Sequence, residues 1–236
     1  MSFIQIPSHD GKSFGTYIAL PTKTPAPAII VIQEIFGVNQ EMREKCDDLA
    51  AQGYVAVCPD LFWRIEPGIE LVDSIEEQLQ RAFSLFGQFD IESGMKDLQS
   101  TLGFLRKHKD VSGPVGCVGY CLGGKLAYKM AAETDIDASV SYYGVGIETM
   151  LDQAKNIRKP LMLHIAGEDK FVSKEAQQKI IDALSGNPLV TIHAYPGCDH
   201  AFARGRGMHF NAEAAEMANG HTAGFFAQNL QKKIAA

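Results

Sequence analysis

The stretch Val115-Gly116-Cys117-Val118-Gly119-Tyr120-Cys121-Leu122-Gly123-Gly124 decides how this chain is read. Val115 to Tyr120 is short, apolar and bounded like a buried strand, while Leu122, Leu126 and Met130 recur at helical spacing up to Ala132. Cys121 therefore sits alone in the turn between a strand and a helix. A turn this sharp brings the positions two before and two after its centre together, and both are glycine, Gly119 and Gly123. Such an elbow presents its central side chain at a helix N-terminus, where unpaired N–H groups and the helix dipole favour a thiolate. The plainer alternative is a small buried cysteine, with glycines that merely pack strand on helix. The strand before and the helix after are the context that the nucleophilic reading requires.

Outward from the elbow the same alternation recurs. Toward the N-terminus, Phe14, Thr16, Ile18 and Leu20 alternate as in a half-buried strand, and Ala28 to Ile32 is apolar throughout, as in a central strand covered on both faces. A helix is expected from an Asn39 cap to Gln52, ended by Gly53, followed by a strand over Tyr54 to Cys58. Helices are expected over roughly 73–86 and 90–109. Toward the C-terminus come strands near Ala138 to Tyr143, Leu161 to Ala166 and Val190 to Tyr195. A last helix is expected from about Asn211 to Lys232, with Ala215, Ala218, Thr222, Phe225 and Phe226 along one stripe. Short strands alternating with helices predict an α/β fold, a mostly parallel central sheet with helices on both faces. In such sheets ligands bind beyond the carboxyl ends of the strands. That rule selects the loops 33–39, 60–68, 120–124, 144–147, 167–172 and 196–206.

Composition narrows the class. No shift in composition divides the 236 residues, so 1–236 is expected to be one domain, large enough to bury a core without disulfides or metals. The 28 acidic and 22 basic residues leave a net charge of −6 with no like-charge block, which disfavours nucleic acid as a partner. No apolar run reaches the ~18 residues of a membrane helix. The first ten residues do not resemble a secretory leader. Five cysteines at irregular spacings do not form a disulfide framework, and a reduced, cytoplasmic protein is expected.

A thiol nucleophile needs a base, and the base needs an orienting group. Both lie downstream in the order of an α/β-hydrolase, which is nucleophile, acid, histidine. Gly167-Glu168-Asp169-Lys170 follows one strand, and Pro196-Gly197-Cys198-Asp199-His200-Ala201-Phe202 follows the next. His200 is the expected base, set against an ordinary exposed loop histidine. Asp169 is the expected acid, with Glu168 beside it as the alternative and a helix cap as the plainer role. His164 and His193 fall inside strands and are expected to pack or hydrogen-bond; Cys46, Cys58, Cys117 and Cys198 are read as structural.

Taken together the motifs Gln33-Glu34-Ile35-Phe36-Gly37, Cys58-Pro59-Asp60-Leu61, Gly119-Tyr120-Cys121-Leu122-Gly123-Gly124, Tyr142-Tyr143-Gly144, Gly167-Glu168-Asp169 and His200-Ala201-Phe202-Ala203-Arg204 resemble the dienelactone hydrolase family over nearly the whole chain. The resemblance implies a Cys121, Asp169, His200 triad, an oxyanion hole from the N–H groups of Leu122 and Ile35, and no metal or organic cofactor. It also implies that Glu34 controls the Cys121 thiol and that Arg204 binds a substrate carboxylate, with Phe36, Tyr143 and Arg81 also against substrate. The chain departs from the family's pattern at Leu79, where an arginine is expected and Arg81 stands two residues on, at Phe83 in place of tyrosine and at Ala201 in place of serine. These departures bear on the acidic substrate and leave the triad intact.

The expected function is hydrolysis of a small-molecule carboxylic ester or lactone, of the carboxymethylenebutenolidase type, through an acyl-cysteine. The alternatives are a broader carboxylesterase or thioesterase acting on neutral esters, and a non-catalytic ligand receptor or thiol redox sensor. A monomer is the default expectation, with a dimer as the alternative.

Overall fold

The computed structural model describes residues 2–231. The chain divides into two compact units, Met1–Val115 and Gly116–Ala236. The first holds β1 (Ser2–Pro7), β2 (Ser13–Ala19), β3 (Ala26–Ile32), α1 (Gln40–Ala51), β4 (Val55–Pro59), α2 (Glu76–Gln88) and α3 (Ile91–Leu105). Strand β5 (Val111–Tyr120) starts there and ends in the second unit, which continues with α4 (Leu122–Glu133), β6 (Ala138–Tyr142), β7 (Leu161–Ala166), α5 (Lys174–Leu184), β8 (Val190–Tyr195) and α6 (Ala212–Leu230).

In the first unit the strands lie in the order β1-β2-β4-β3. The β1–β2 and β2–β4 pairs are antiparallel, and β3–β4 is parallel. Ala28 to Ile32 are fully buried, as a β-branched run covered on both faces requires. The half-buried alternation expected for β2 is only partly found. Phe14, Thr16 and Ile18 are buried, but so are Tyr17 and Ala19, while Leu20 lies beyond the strand and is 45% exposed. The cause is α1, which covers the second face: the Tyr17 hydroxyl donates to Asp47 at 2.8 Å. Strand β1 is an edge strand that buries only Ile6 fully, so it carries almost no apolar pattern.

Helix α1 starts as expected, with the Asn39 side chain accepting from the Met42 N–H at 3.2 Å. Helix α2 begins at Glu76 rather than Asp73, and no side chain caps it. Helix α3 is capped by Asp90 and stops at Leu105, four residues before the expected end. There Lys107 N–H bonds to the Phe104 carbonyl and His108 N–H to that of Leu105, the i to i−3 pattern that tightens and ends a helix.

The second unit is parallel throughout, β5-β6-β7-β8. Its register positions the site. Tyr120 pairs with Tyr142, Tyr142 with His164, and Ala166 with Tyr195. The four strands thus end nearly level, and the loops that leave them open on one edge. Behind that edge, Tyr128 and Ala131 of α4 and Ile180 and Leu184 of α5 pack on Leu161 and Leu163 of β7. Helix α5, for which the sequence analysis made no assignment, is capped by Ser173 accepting from Ala176 N–H at 3.2 Å. Helix α6 is capped by Asn211 and buries the expected stripe Ala215, Ala218, Thr222, Phe225 and Phe226. Its expected end, Lys232, lies outside the described residues.

Candidate active site

Cys121 sits between β5 and α4 with φ 56° and ψ −114°, a conformation that costs an L residue on the order of 1–3 kcal/mol. The flanking bonds hold it there. Its N–H donates to the Tyr142 carbonyl at 3.1 Å, and its own carbonyl accepts from the Lys125 N–H at 3.2 Å. Glycine at 119 is a steric necessity, because a Cβ there would lie 1.9 Å from the Gly123 carbonyl oxygen. Gly124 is similarly confined, since its Cβ would meet the Tyr142 carbonyl oxygen at 2.5 Å. The N–H groups of the first turn of α4, starting with Leu122, belong to the orphan donors of a helix start and lie next to the sulfur in sequence.

Asp169 leaves the end of β7 and His200 the end of β8, two strands that pair in register. His200 Nδ1 and Asp169 Oδ2 are 2.9 Å apart, with side chains only 6% and 2% exposed. The second carboxylate oxygen, Oδ1, accepts from the Phe171 N–H at 2.8 Å, so both oxygens are tethered. Glu168, the alternative acid, turns away and pairs with Lys174 Nζ at 2.7 Å. His200 is buried rather than a loose surface histidine. Its Nε2 completes no hydrogen bond by distance and angle, yet the Cys121 sulfur is near enough to act on the ring. Burial, the largest influence, opposes a charge on His200; the Cys121 charge and the hydrogen bond to Asp169 outweigh it and push the imidazole pKa up to about 10. The neighbouring negative charges thus favour the protonated form of the imidazole.

Three residues that sequence reasoning missed complete the surroundings. Asp199 accepts from the His200 N–H at 2.7 Å and pairs with Lys170 Nζ at 2.8 Å, tying together the two loops that carry Asp169 and His200. Phe171 lays its ring edge-on to His200 at 4.8 Å between centroids while remaining 54% exposed. The third, Ser141, ends in a small cavity that Asp169 also lines. Asp199 adjoins His200 and Phe171 follows Asp169 by two, but sequence proximity alone does not give their direction. Tyr143, with φ 38°, packs its ring against His200 at 5.1 Å, and Ala201 also has positive φ, 63°. Arg204 is buried, not a solvated surface arginine.

Behind Tyr143 lies a second polar layer. The Tyr143 N–H donates to the His164 carbonyl at 2.8 Å. The His164 ring bonds Tyr195 Oη at 2.8 Å and Thr222 Oγ1 at 2.9 Å, and Thr222 bonds Tyr142 Oη at 2.6 Å. The His193 and His221 rings stack at 3.9 Å beside it. His164 and His193 thus pack and hydrogen-bond, as their strand positions suggested.

In the first unit, Glu34, Ile35 and Phe36 follow β3 and are buried. Gln33 braces the loop, accepting from Leu61 N–H at 3.0 Å and donating to the Glu34 carbonyl at 3.2 Å. Arg81 is half exposed and ion-paired with Glu66. Among the described residues, no group of three or more His, Cys, Asp or Glu is placed to hold a metal ion, and no helix is long and apolar enough to cross a membrane.

A cysteine elbow followed by an acid and a histidine, each at the end of a parallel strand, places the chain among the α/β-hydrolases. It belongs to the dienelactone hydrolase family, which matches residues 14–230. A protein of Azospirillum brasilense is 50% identical over 232 residues, covering 98% of this chain and 100% of its own. The carboxymethylenebutenolidase of Pseudomonas putida is 42% identical over 230 residues, 98% of each chain. A Klebsiella pneumoniae crystal structure superposes with TM-score 0.83 at 26% identity, covering 96% of this chain and 98% of that one. A dienelactone hydrolase-like promiscuous phosphotriesterase from metagenomic libraries, at TM-score 0.79 and 18% identity over 98% of this chain and 99% of its own, shares the fold.

Proposed function

We propose that this hydrolase opens a small-molecule carboxylic ester or lactone through an acyl-cysteine intermediate, with Cys121 as nucleophile, His200 as base and Asp169 as orienting acid. What supports it most is the buried 2.9 Å bond between His200 and Asp169, on the sheet edge where the Cys121 elbow also opens. His200 takes the thiol proton, and the sulfur attacks the carbonyl carbon. The oxyanion draws on the Leu122 N–H and, from the family resemblance, on that of Ile35. As the tetrahedral adduct collapses, the C–O bond breaks and the leaving oxygen takes the proton from His200. Water, deprotonated by His200, then cleaves the thioester and restores the thiol. No step calls for a metal or organic cofactor. Mass spectrometry after mixing with an activated ester tests this: transient acylation at Cys121 is expected, whereas stable oxidation without acylation would favour a receptor or redox sensor.

The resemblance further assigns Glu34 to hold the thiol until substrate displaces it, limiting its oxidation. Glu34→Gln should change the iodoacetamide labelling rate of Cys121 or its pH dependence; no change in either removes that role. Arg204, with Phe36, Tyr143 and Arg81, is assigned to substrate. The exposed Phe171 ring on His200 favours a second reading, in which neutral, apolar esters are also accepted. Arg204→Ala separates the two, lowering kcat/KM for an anionic lactone while sparing a neutral aryl ester. We read residues 1–236 as one domain acting as a monomer in the cytoplasm, without nucleic acid or membrane partners; the five free cysteines agree with a reducing compartment.

A further inference from the structure

The second unit contains a small cavity lined by Ser141, Tyr143, Gly144, His164, Asp169 and Val172, among others. Its free volume is about 20 Å³. A water needs roughly 10–15 Å³ of such space, together with two or more polar partners. Ser141 supplies the first. It lies on β6, its side chain is buried, and its hydroxyl has no hydrogen-bond partner among the described residues. That hydroxyl is directed toward Gly144, whose Cβ, if present, would lie 2.8 Å from it. A lone hydroxyl so buried is uncommon, because its desolvation goes uncompensated.

Asp169 supplies the second partner. Each carboxylate oxygen accepts one hydrogen bond from the protein, Oδ2 from His200 and Oδ1 from Phe171. An ionised carboxylate has about four acceptor positions, and this one is nearly sealed from solvent. A buried charge with unused acceptor positions and a buried hydroxyl with an unused donor thus line the same water-sized space. The two ring nitrogens of His164, which also lines it, are already bonded.

We propose that this cavity binds one water molecule, which accepts from Ser141 Oγ and donates to the Asp169 carboxylate, making Ser141 a positioning residue for the catalytic acid. The inference rests on the reading in which Asp169 orients His200. It gives the carboxylate a third donor and fixes its plane, and so the direction in which His200 presents Nε2.

Ser141→Thr and Ser141→Val test this as a pair. They have the same shape and crowd Gly144 equally, so a packing role affects both alike, and only threonine keeps the hydroxyl. The expected result is a kcat about tenfold higher for threonine than for valine, with KM within twofold, and an ordered water bridging Ser141 and Asp169 in a crystal of the wild type. Equal kcat values for the pair overturn the proposal, as does a dry cavity in the wild-type crystal, which needs no variant to fold. Acylation of Cys121, followed by mass spectrometry, keeps the two readings apart: if the wild type acylates while threonine and valine behave alike, the water role falls and the triad stands. If the wild type does not acylate, the triad falls and the positioning role falls with it.

Discussion

Replacing His164 with asparagine should flatten the acid side of the stability profile. His164 is 1% exposed, and its ring is held by Tyr195 and Thr222. Burial, with smaller contributions from the neighbouring His193 and His221, holds its pKa well below 6.5. The groups that face it from β6, β8 and α6 are Tyr142, Tyr195, His193, His221 and Thr222, none a carboxylate; Asp169, which lines the same cavity, is turned to His200 and Phe171. In the unfolded chain the same ring titrates near pH 6.5. Below that pH the unfolded state binds a proton that the folded state refuses, so stability is complete above pH 6.5 and falls as pH falls. For a ring that stays neutral in the fold, the loss at pH 5 is RT ln(1 + 10^1.5), about 2 kcal/mol. At pH 7.5 the variant should be the less stable by roughly 2 kcal/mol, from two lost hydrogen bonds at ~1 kcal/mol each. Urea unfolding of both proteins at pH 7.5 and pH 5 should therefore show two stabilities that converge on acidification. The Cys121–His200 pair is common to both and cancels. If wild type and variant lose the same free energy over this interval, His164 does not enter the fold as a buried neutral base and the reasoning fails.

Cys121→Ala and His200→Ala should each lower kcat by roughly 10⁶-fold and Asp169→Asn by about 10⁴-fold, because in the proposed triad the acid only orients and stabilises what the other two do. Steady-state kinetics with equal, small losses at all three positions would reject the triad. Gly119→Ala brings a Cβ to 1.9 Å from a backbone oxygen that no side-chain motion can relieve. It should cost on the order of 4 kcal/mol or prevent folding, and an unchanged melting temperature would show that the elbow is not as tight as described. The division at Val115 and Gly116 runs through β5, so denaturant unfolding of the whole chain as one domain should follow a single transition by both circular dichroism and tryptophan fluorescence. Two separated transitions would make the units independent domains.

Much of this molecule is written locally. The β-branched run Ala28 to Ile32 is covered on both faces, and Leu161 to Ala166 is apolar apart from His164, so their apolarity identified them as strands without knowledge of their neighbours. Asn39 and Asn211 mark helix starts because a cap is a bond within four residues. The elbow was legible for a similar reason: its clash is between positions 119 and 123, which any chain making that turn must bring together. Chain order and strand ends were enough to nominate Asp169 and His200. What sequence could not decide was direction. Asp169 and Glu168 are adjacent and chemically alike, and only the packed β7–β8 edge turns one to His200 and the other to Lys174. Edge strand β1 went unseen because an edge buries too little to leave a pattern. Tyr17 is buried because α1 crosses above it. Ser141 looked like any strand serine, since a cavity is made by side chains from many elements and belongs to no single stretch of chain. Local chemistry determines where the chain turns and which atoms it offers; long-range packing determines which of those atoms meet.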